Sequence, residues 1–127
     1  MKSTIGTSEI LRTSKVIEYK KNEVIAKEGD VEPGWFILLE GRVGVLKSGK
    51  KVEEFDKKGT IFGEISNILG TPRSASIIAI EKSKVLCFKA SIDHLIERYP
   101  EMAKKIMVSL ANRLLKTTEE MISITEE

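Results

Sequence analysis

Apolar and polar positions along the chain change their period once, at Ser91. Before that point the apolar residues fall in short runs broken by turn signals. Val16 to Tyr19 and Glu23 to Ile25 read as short strands separated by Lys20-Lys21-Asn22. Gly29-Asp30 and Pro33-Gly34 mark turns. Trp35-Phe36-Ile37-Leu38-Leu39 is apolar without alternation, which implies a strand covered on both sides. One side would face the inside of a roll and the other would face helices. Arg42 to Leu46 alternates, with Val43 and Val45 inward. Ser48-Gly49-Lys50 predicts a hairpin turn, from which Lys51 to Phe55 returns. Asp56 to Gly59 is a polar turn before Ile61, and Ser76 to Ile80 and Lys84 to Phe88 form two further strands. Short strands with turns at close spacing predict a small β-roll or barrel, not a parallel sheet.

Beyond Ser91 the pattern is helical. Ser91 suits an N-cap for Ile92 to Tyr99, and Pro100 suits the first turn of a second helix. No Gly or Pro follows it. Ala103, Met107, Leu110, Leu114, Thr117, Met121 and Ile124 recur in alternating steps of four and three, a heptad spacing. Ile106 and Met107 are expected to pack on the roll. A seam that continues past Leu115 predicts a partner helix and a parallel homodimer; a monomer with a frayed or folded-back helix is the alternative. Residues 124–127 are expected to fray. At the other end, Thr4 to Ser14 predicts a short helix with Ile5, Ile10 and Leu11 on its apolar side. The chain is thus read as one domain, 1–127. It has an N-terminal helical segment (1–15), a β-roll (16–90) and C-terminal helices (91–127).

Size and composition agree with one soluble domain: 127 residues, 41% hydrophobic and 31% charged. A formal charge of +2 does not suggest a general nucleic-acid surface. Cys87 is the one cysteine, so no internal disulfide can form, which fits a reducing cytoplasm. No signal core or transit peptide is seen at the start, and Trp35 to Leu39 is too short to cross a bilayer. His94 is the one histidine, so neither a histidine metal cluster nor a triad can be built around it. No zinc spacing, nucleophile elbow, Walker loop or dinucleotide glycine pattern is present. Lys20-Lys21, Lys47 to Lys51 and Lys57-Lys58 read as solvated turn residues.

Chemistry concentrates in Ile61 to Ile77, IFGEISNILGTPRSASI. A strand end runs through Gly63 into an acidic helical turn at Glu64. After the turn Gly70-Thr71-Pro72 come Arg73-Ser74-Ala75-Ser76. A helix N-terminus with free N–H groups suits an anion. Arg73 adds a planar fork of donors that suits a phosphate. Small residues at 74–76 let the backbone approach closely. Glu64 would repel a phosphate, so it must face hydroxyl donors, as a ribose offers. The stretch reads as a pocket for a sugar phosphate, held at one end by Glu64 and at the other by Arg73.

Phe62-Gly63-Glu64 and Pro72-Arg73-Ser74-Ala75 resemble the phosphate-binding cassette of cyclic nucleotide-binding domains, with the spacing found in kinase regulatory subunits. The resemblance runs from about Val16 to Leu115. It implies an eight-stranded antiparallel β-roll flanked by helices, so mainly β. It assigns Glu64 to the ribose 2′-hydroxyl and Arg73, with the backbone around Gly63, Ile65, Ser74 and Ala75, to the cyclic phosphate. Ala111-Asn112-Arg113-Leu114-Leu115-Lys116-Thr117-Thr118 resembles the long dimer helix of the catabolite activator type. By that likeness Thr117 contacts the base in its own subunit and Thr118 reaches the base held by the other.

The resemblance implies a non-catalytic sensor in the cytoplasm that couples ligand binding to its C-terminal dimer helix. The ligand is expected to be cAMP, with cGMP left open, and no cofactor or metal is called for. A dimerising scaffold with an unused pocket is the alternative. No DNA-reading motif follows the long helix before Glu127, so DNA binding is not expected of this chain, which would act on a partner protein or as the regulatory part of something longer.

Overall fold

The computed structural model describes residues 14–32 and 34–126. The predicted helix at Thr4 to Ser14 lies outside these residues except for Ser14, which is not helical. In chain order the elements are β1 (Lys15–Tyr19), β2 (Val24–Ala26), β3 (Trp35–Glu40), β4 (Val43–Lys47), β5 (Lys50–Phe55), β6 (Ile61–Phe62), α1 (Glu64–Leu69), β7 (Ser76–Ala79), β8 (Ser83–Phe88), α2 (Ile92–Arg98) and α3 (Pro100–Glu126). The strands form two four-stranded antiparallel sheets, ordered β1-β8-β3-β6 and β2-β7-β4-β5. This is the expected mainly-β roll with a long C-terminal helix.

The unbroken apolar run on β3 has the expected cause. Successive strand side chains point to opposite faces, and both faces of β3 are covered. Phe36 and Leu38 join Ala26, Val43, Phe62, Ile77 and Val85 between the sheets. Trp35 joins Leu86 and Phe88 against Leu95, Tyr99 and Ile106 of the helical layer, with Ile37 and Leu39 beside it. The β4–β5 hairpin closes with Ser48 (φ 51°) and Gly49 (φ 80°), both left-handed. Two left-handed residues make the tight turn whose twist matches the flanking strands.

Ser91 caps α2 as predicted, its hydroxyl accepting from the His94 N–H at 3.1 Å. Helix α3 docks through Met102, Ala103, Ile106 and Leu110. This sets the helix phase and corrects two expectations. Met107 does not pack on the roll: it lies about 100° round the helix from Ile106 and is 66% exposed. Ala103 and Leu110 pack partly on the domain's own core, so only part of their surface is left for a seam facing a partner. Instead the exposed side carries three rows with a strict step of seven. These are Met107-Leu114-Met121, Ala111-Thr118-Thr125 and Val108-Leu115-Ile122. Among the described residues no helix is long and apolar enough to cross a membrane.

Candidate functional site

A cavity of about 330 Å³ opens where β4, β5, β6, α1 and α3 meet. Val45, Val52, Phe55, Phe62 and Ile77 supply its apolar wall. The polar groups come from Lys47, Glu53, Gly63, Glu64, Ser66, Arg73, Ser74 and, on the long helix, Arg113. Ile65 and Ala75 also line it, so six of the eight residues singled out in the sequence meet in one cavity.

Gly63 makes the corner. Its φ of 72° is left-handed, and it turns β6 into α1 so abruptly that Glu64 begins the helix facing inward. The space beside it is full. A Cβ there would lie 2.6 Å from the Phe36 ring and 3.0 Å from Arg73 Nη1. The Gly63 carbonyl accepts from Arg73 Nη1 and from Asn67 Nδ2, both at 2.7 Å. Asn67 also clasps Gly34, whose N–H donates to its Oδ1 at 3.1 Å. Gly63→Ala is therefore expected to lose at least about 1–3 kcal/mol from strain, and to displace the Arg73 fork. Thermal unfolding reads the first effect and nucleotide affinity the second; an unchanged melting point would mean that the corner relaxes freely.

Arg73 is only 7% exposed. Its Nη2 donates to Gly34 O at 2.9 Å and Glu32 O at 3.4 Å, and its guanidinium lies 5.2 Å from the Phe36 ring centroid. Burial pushes its pKa down, while the charges of Asp30 and Glu64 push it back up. Among the described residues it forms no ion pair; backbone carbonyls and the Phe36 ring face this buried cation, with the Asp30 and Glu64 charges acting from further off. Glu64 is the complementary case, 3% exposed. Its Oε1 accepts from Arg113 Nη2 at 2.9 Å, while its Oε2 is buried without a hydrogen-bond partner among the described residues. A buried acceptor left unpaired costs about 1–3 kcal/mol, so it suits an incoming hydroxyl donor.

Sequence reasoning missed two residues. Arg113 lies in the helix stretch 111–118, where its sequence position alone carries no sign of a role. It sits two turns beyond Ile106 on the docked face, reaches Glu64, lies 3.7 Å from Glu53 and covers the Phe55 ring at 5.6 Å. Its signal was that phase, legible only once the docked row was known. Lys47, read as solvated, is exposed as expected, with 53% of its side chain accessible, but it also lines the mouth of the cavity. Thr117 and Thr118 are exposed and outside the cavity wall. Thr118 Oγ1 donates to Leu114 O of its own helix at 2.9 Å. Among the described residues no cluster of three His, Cys, Asp or Glu could hold a metal. Burial pushes the Cys87 thiol's pKa up, which disfavours the reactive thiolate.

The profile of the cyclic nucleotide-binding domain matches residues 16–99. The chain belongs to this family. Relatives include the human cyclic nucleotide-gated channel beta-1, 28% identical over 115 residues, which is 86% of this chain and 9% of that protein. A cyclic nucleotide-gated potassium channel of Rhizobium etli is 32% identical over 106 residues, 83% of this chain and 29% of the other. The chain thus spans a small part of the curated relatives it matches. The catabolite activator protein of Thermus thermophilus superposes with a TM-score of 0.76 at 24% identity, over 95% of this chain and 59% of that one, and shares the fold.

Proposed function

We propose that this domain is a non-catalytic sensor whose ligand is a cyclic purine nucleotide, cAMP in preference to cGMP. One observation carries the reading. A buried cation with no ion-pair partner among the described residues, Arg73, and a buried carboxylate oxygen without a hydrogen-bond donor among them, Glu64 Oε2, border the same largely apolar cavity. A sugar with an adjacent phosphate monoanion satisfies both at once. The ribose hydroxyl donates to Glu64, and the cyclic phosphate accepts from Arg73 and from the backbone around Gly63, Ile65, Ser74 and Ala75. The base takes the apolar wall, and the likeness of Thr117-Thr118 to the catabolite activator helix supports cAMP, although both threonines lie outside that wall. In this reading the nucleotide is bound and released unchanged.

Arg113 supplies the link to the long helix. It holds Glu64 from α3, so a ligand that claims Glu64 changes what fastens α3 to the roll. The exposed face of α3 extends the link to a second copy. Three rows with a step of seven, apolar on both flanks and small in the middle, suit a parallel partner helix under a left-handed supercoil. In such a homodimer Thr118 lies on the shared face and reaches the other subunit's base. The same face favours a second reading, a dimerising scaffold with an unused pocket. The effector would be a protein or a further domain in the cytoplasm.

Calorimetric titration of ligand-free protein with cAMP and cGMP decides between these readings. The sensor predicts one site per chain with a Kd of about 1 μM or below, roughly −8 kcal/mol, and the tighter binding for cAMP. Sedimentation of the same sample is expected to show a dimer. Dimer without heat from either nucleotide, at two temperatures, would leave the scaffold; tighter cGMP would reverse the ligand.

A further inference from the structure

We propose that Lys47 is a second phosphate-binding cation of this pocket, a refinement that rests on the nucleotide reading above. Strand alternation puts Val43, Val45 and Lys47 on the face of β4 that looks into the roll. Val45 pairs with Ile77 and Leu46 with Ser76, so Lys47 stands one step further, where Ser74 and Ala75 enter β7. Its ammonium donates to the Ser74 carbonyl and lies 3.5 Å from Glu28 Oε2. Glu28 is itself held, its Oε1 accepting from the Ser48 N–H at 3.1 Å. The ammonium is thus tethered at the phosphate end of the cassette and still reaches water.

The two cations differ in kind. Arg73 is buried, with its fork committed to Gly63, Gly34 and Glu32 carbonyls. Lys47 is a point charge on a long stem at the mouth, and its bonds to Ser74 and Glu28 are exposed, hence weak. A cyclic phosphate has two non-bridging oxygens. Arg73 meets one from inside and Lys47 meets the other from the rim. A rim charge of this kind makes binding sensitive to salt.

The test titrates cAMP into the intact protein and into Lys47→Met at low and high salt. Lys47→Met keeps the stem and removes the charge. It is expected to weaken binding about tenfold at low salt, the effect of one charged hydrogen bond, and to flatten the salt dependence. Lys47→Arg is expected to restore most of the affinity. Equal affinity of Lys47→Met and the intact protein at low salt overturns the proposal. So does a loss that is the same at every salt concentration, because Lys47 would then act by shaping the Ser74 backbone. If the intact protein takes up no cAMP or cGMP, the nucleotide reading itself falls, and Lys47 falls with it.

Discussion

Replacing Arg73 by alanine is expected to weaken cyclic nucleotide binding by about a hundredfold or more, the usual cost of removing one partner of a buried charged pair. The ligand phosphate would enter a site with no buried cation while still losing its water. The substitution also has a structural cost. Carbonyls of Gly63 and Gly34 lose a donor, and each unpaired buried group costs about 1–3 kcal/mol. Asn67 softens this, because it donates to the same two carbonyls. The backbone bonds that tie Arg73 to Gly29 and Asp30 do not depend on its side chain. The variant should therefore fold with a lowered melting temperature and lose nucleotide uptake. Arg73→Lys separates the two contributions. It keeps one positive charge but not the planar fork, so it should bind between the two extremes. Calorimetry with a parallel thermal scan reads both quantities. Wild-type affinity in a folded Arg73→Ala variant would place the phosphate elsewhere.

Much of this architecture is legible in the sequence because its local signals agree with one another. The run at Trp35 to Leu39 reports two covered faces, and the structure has a core on each side of β3. Ser91 announces a cap, and its hydroxyl makes that bond. Glu64 and Arg73 have few reasons to sit beside Gly63 and Ser74 except to share a cavity, and they do. The phase of α3 is different in kind. Several overlapping chains of threes and fours run through residues 103–125, each apolar enough to be a seam. Which one docks is decided by Trp35, Leu95 and Tyr99, which arrive from other elements. Periodicity cannot encode that choice. Arg113 and Lys47 escaped notice for a related reason. A basic residue on a helix or at a hairpin is ordinarily solvated, and only the tertiary fold turns these two toward a cavity.

Trp35→Ala is expected to cost about 3–5 kcal/mol of stability, the range for truncating a buried aromatic residue, a large share of what a domain of this size possesses. Trp35 is fully buried and stacks on Phe88 with ring centroids 6.2 Å apart. Its indole N–H donates to the Ala90 carbonyl at 2.8 Å, at the start of the link to α2. It therefore fastens the helical layer to the roll. Trp35→Phe should keep the stacking but leave the Ala90 carbonyl without that donor, for a loss of about 1–3 kcal/mol. Because Trp35 is the single tryptophan, unfolding has to be followed by circular dichroism. The consequence for binding is indirect. Trp35 does not line the cavity, but Arg113 reaches Glu64 only while α3 is docked. Loosening that dock should lower cAMP affinity in conditions where the variant is still folded. A large loss of stability with unchanged affinity would show that the pocket works without the helix. The proposed coupling of ligand to α3 through Arg113 would then fall.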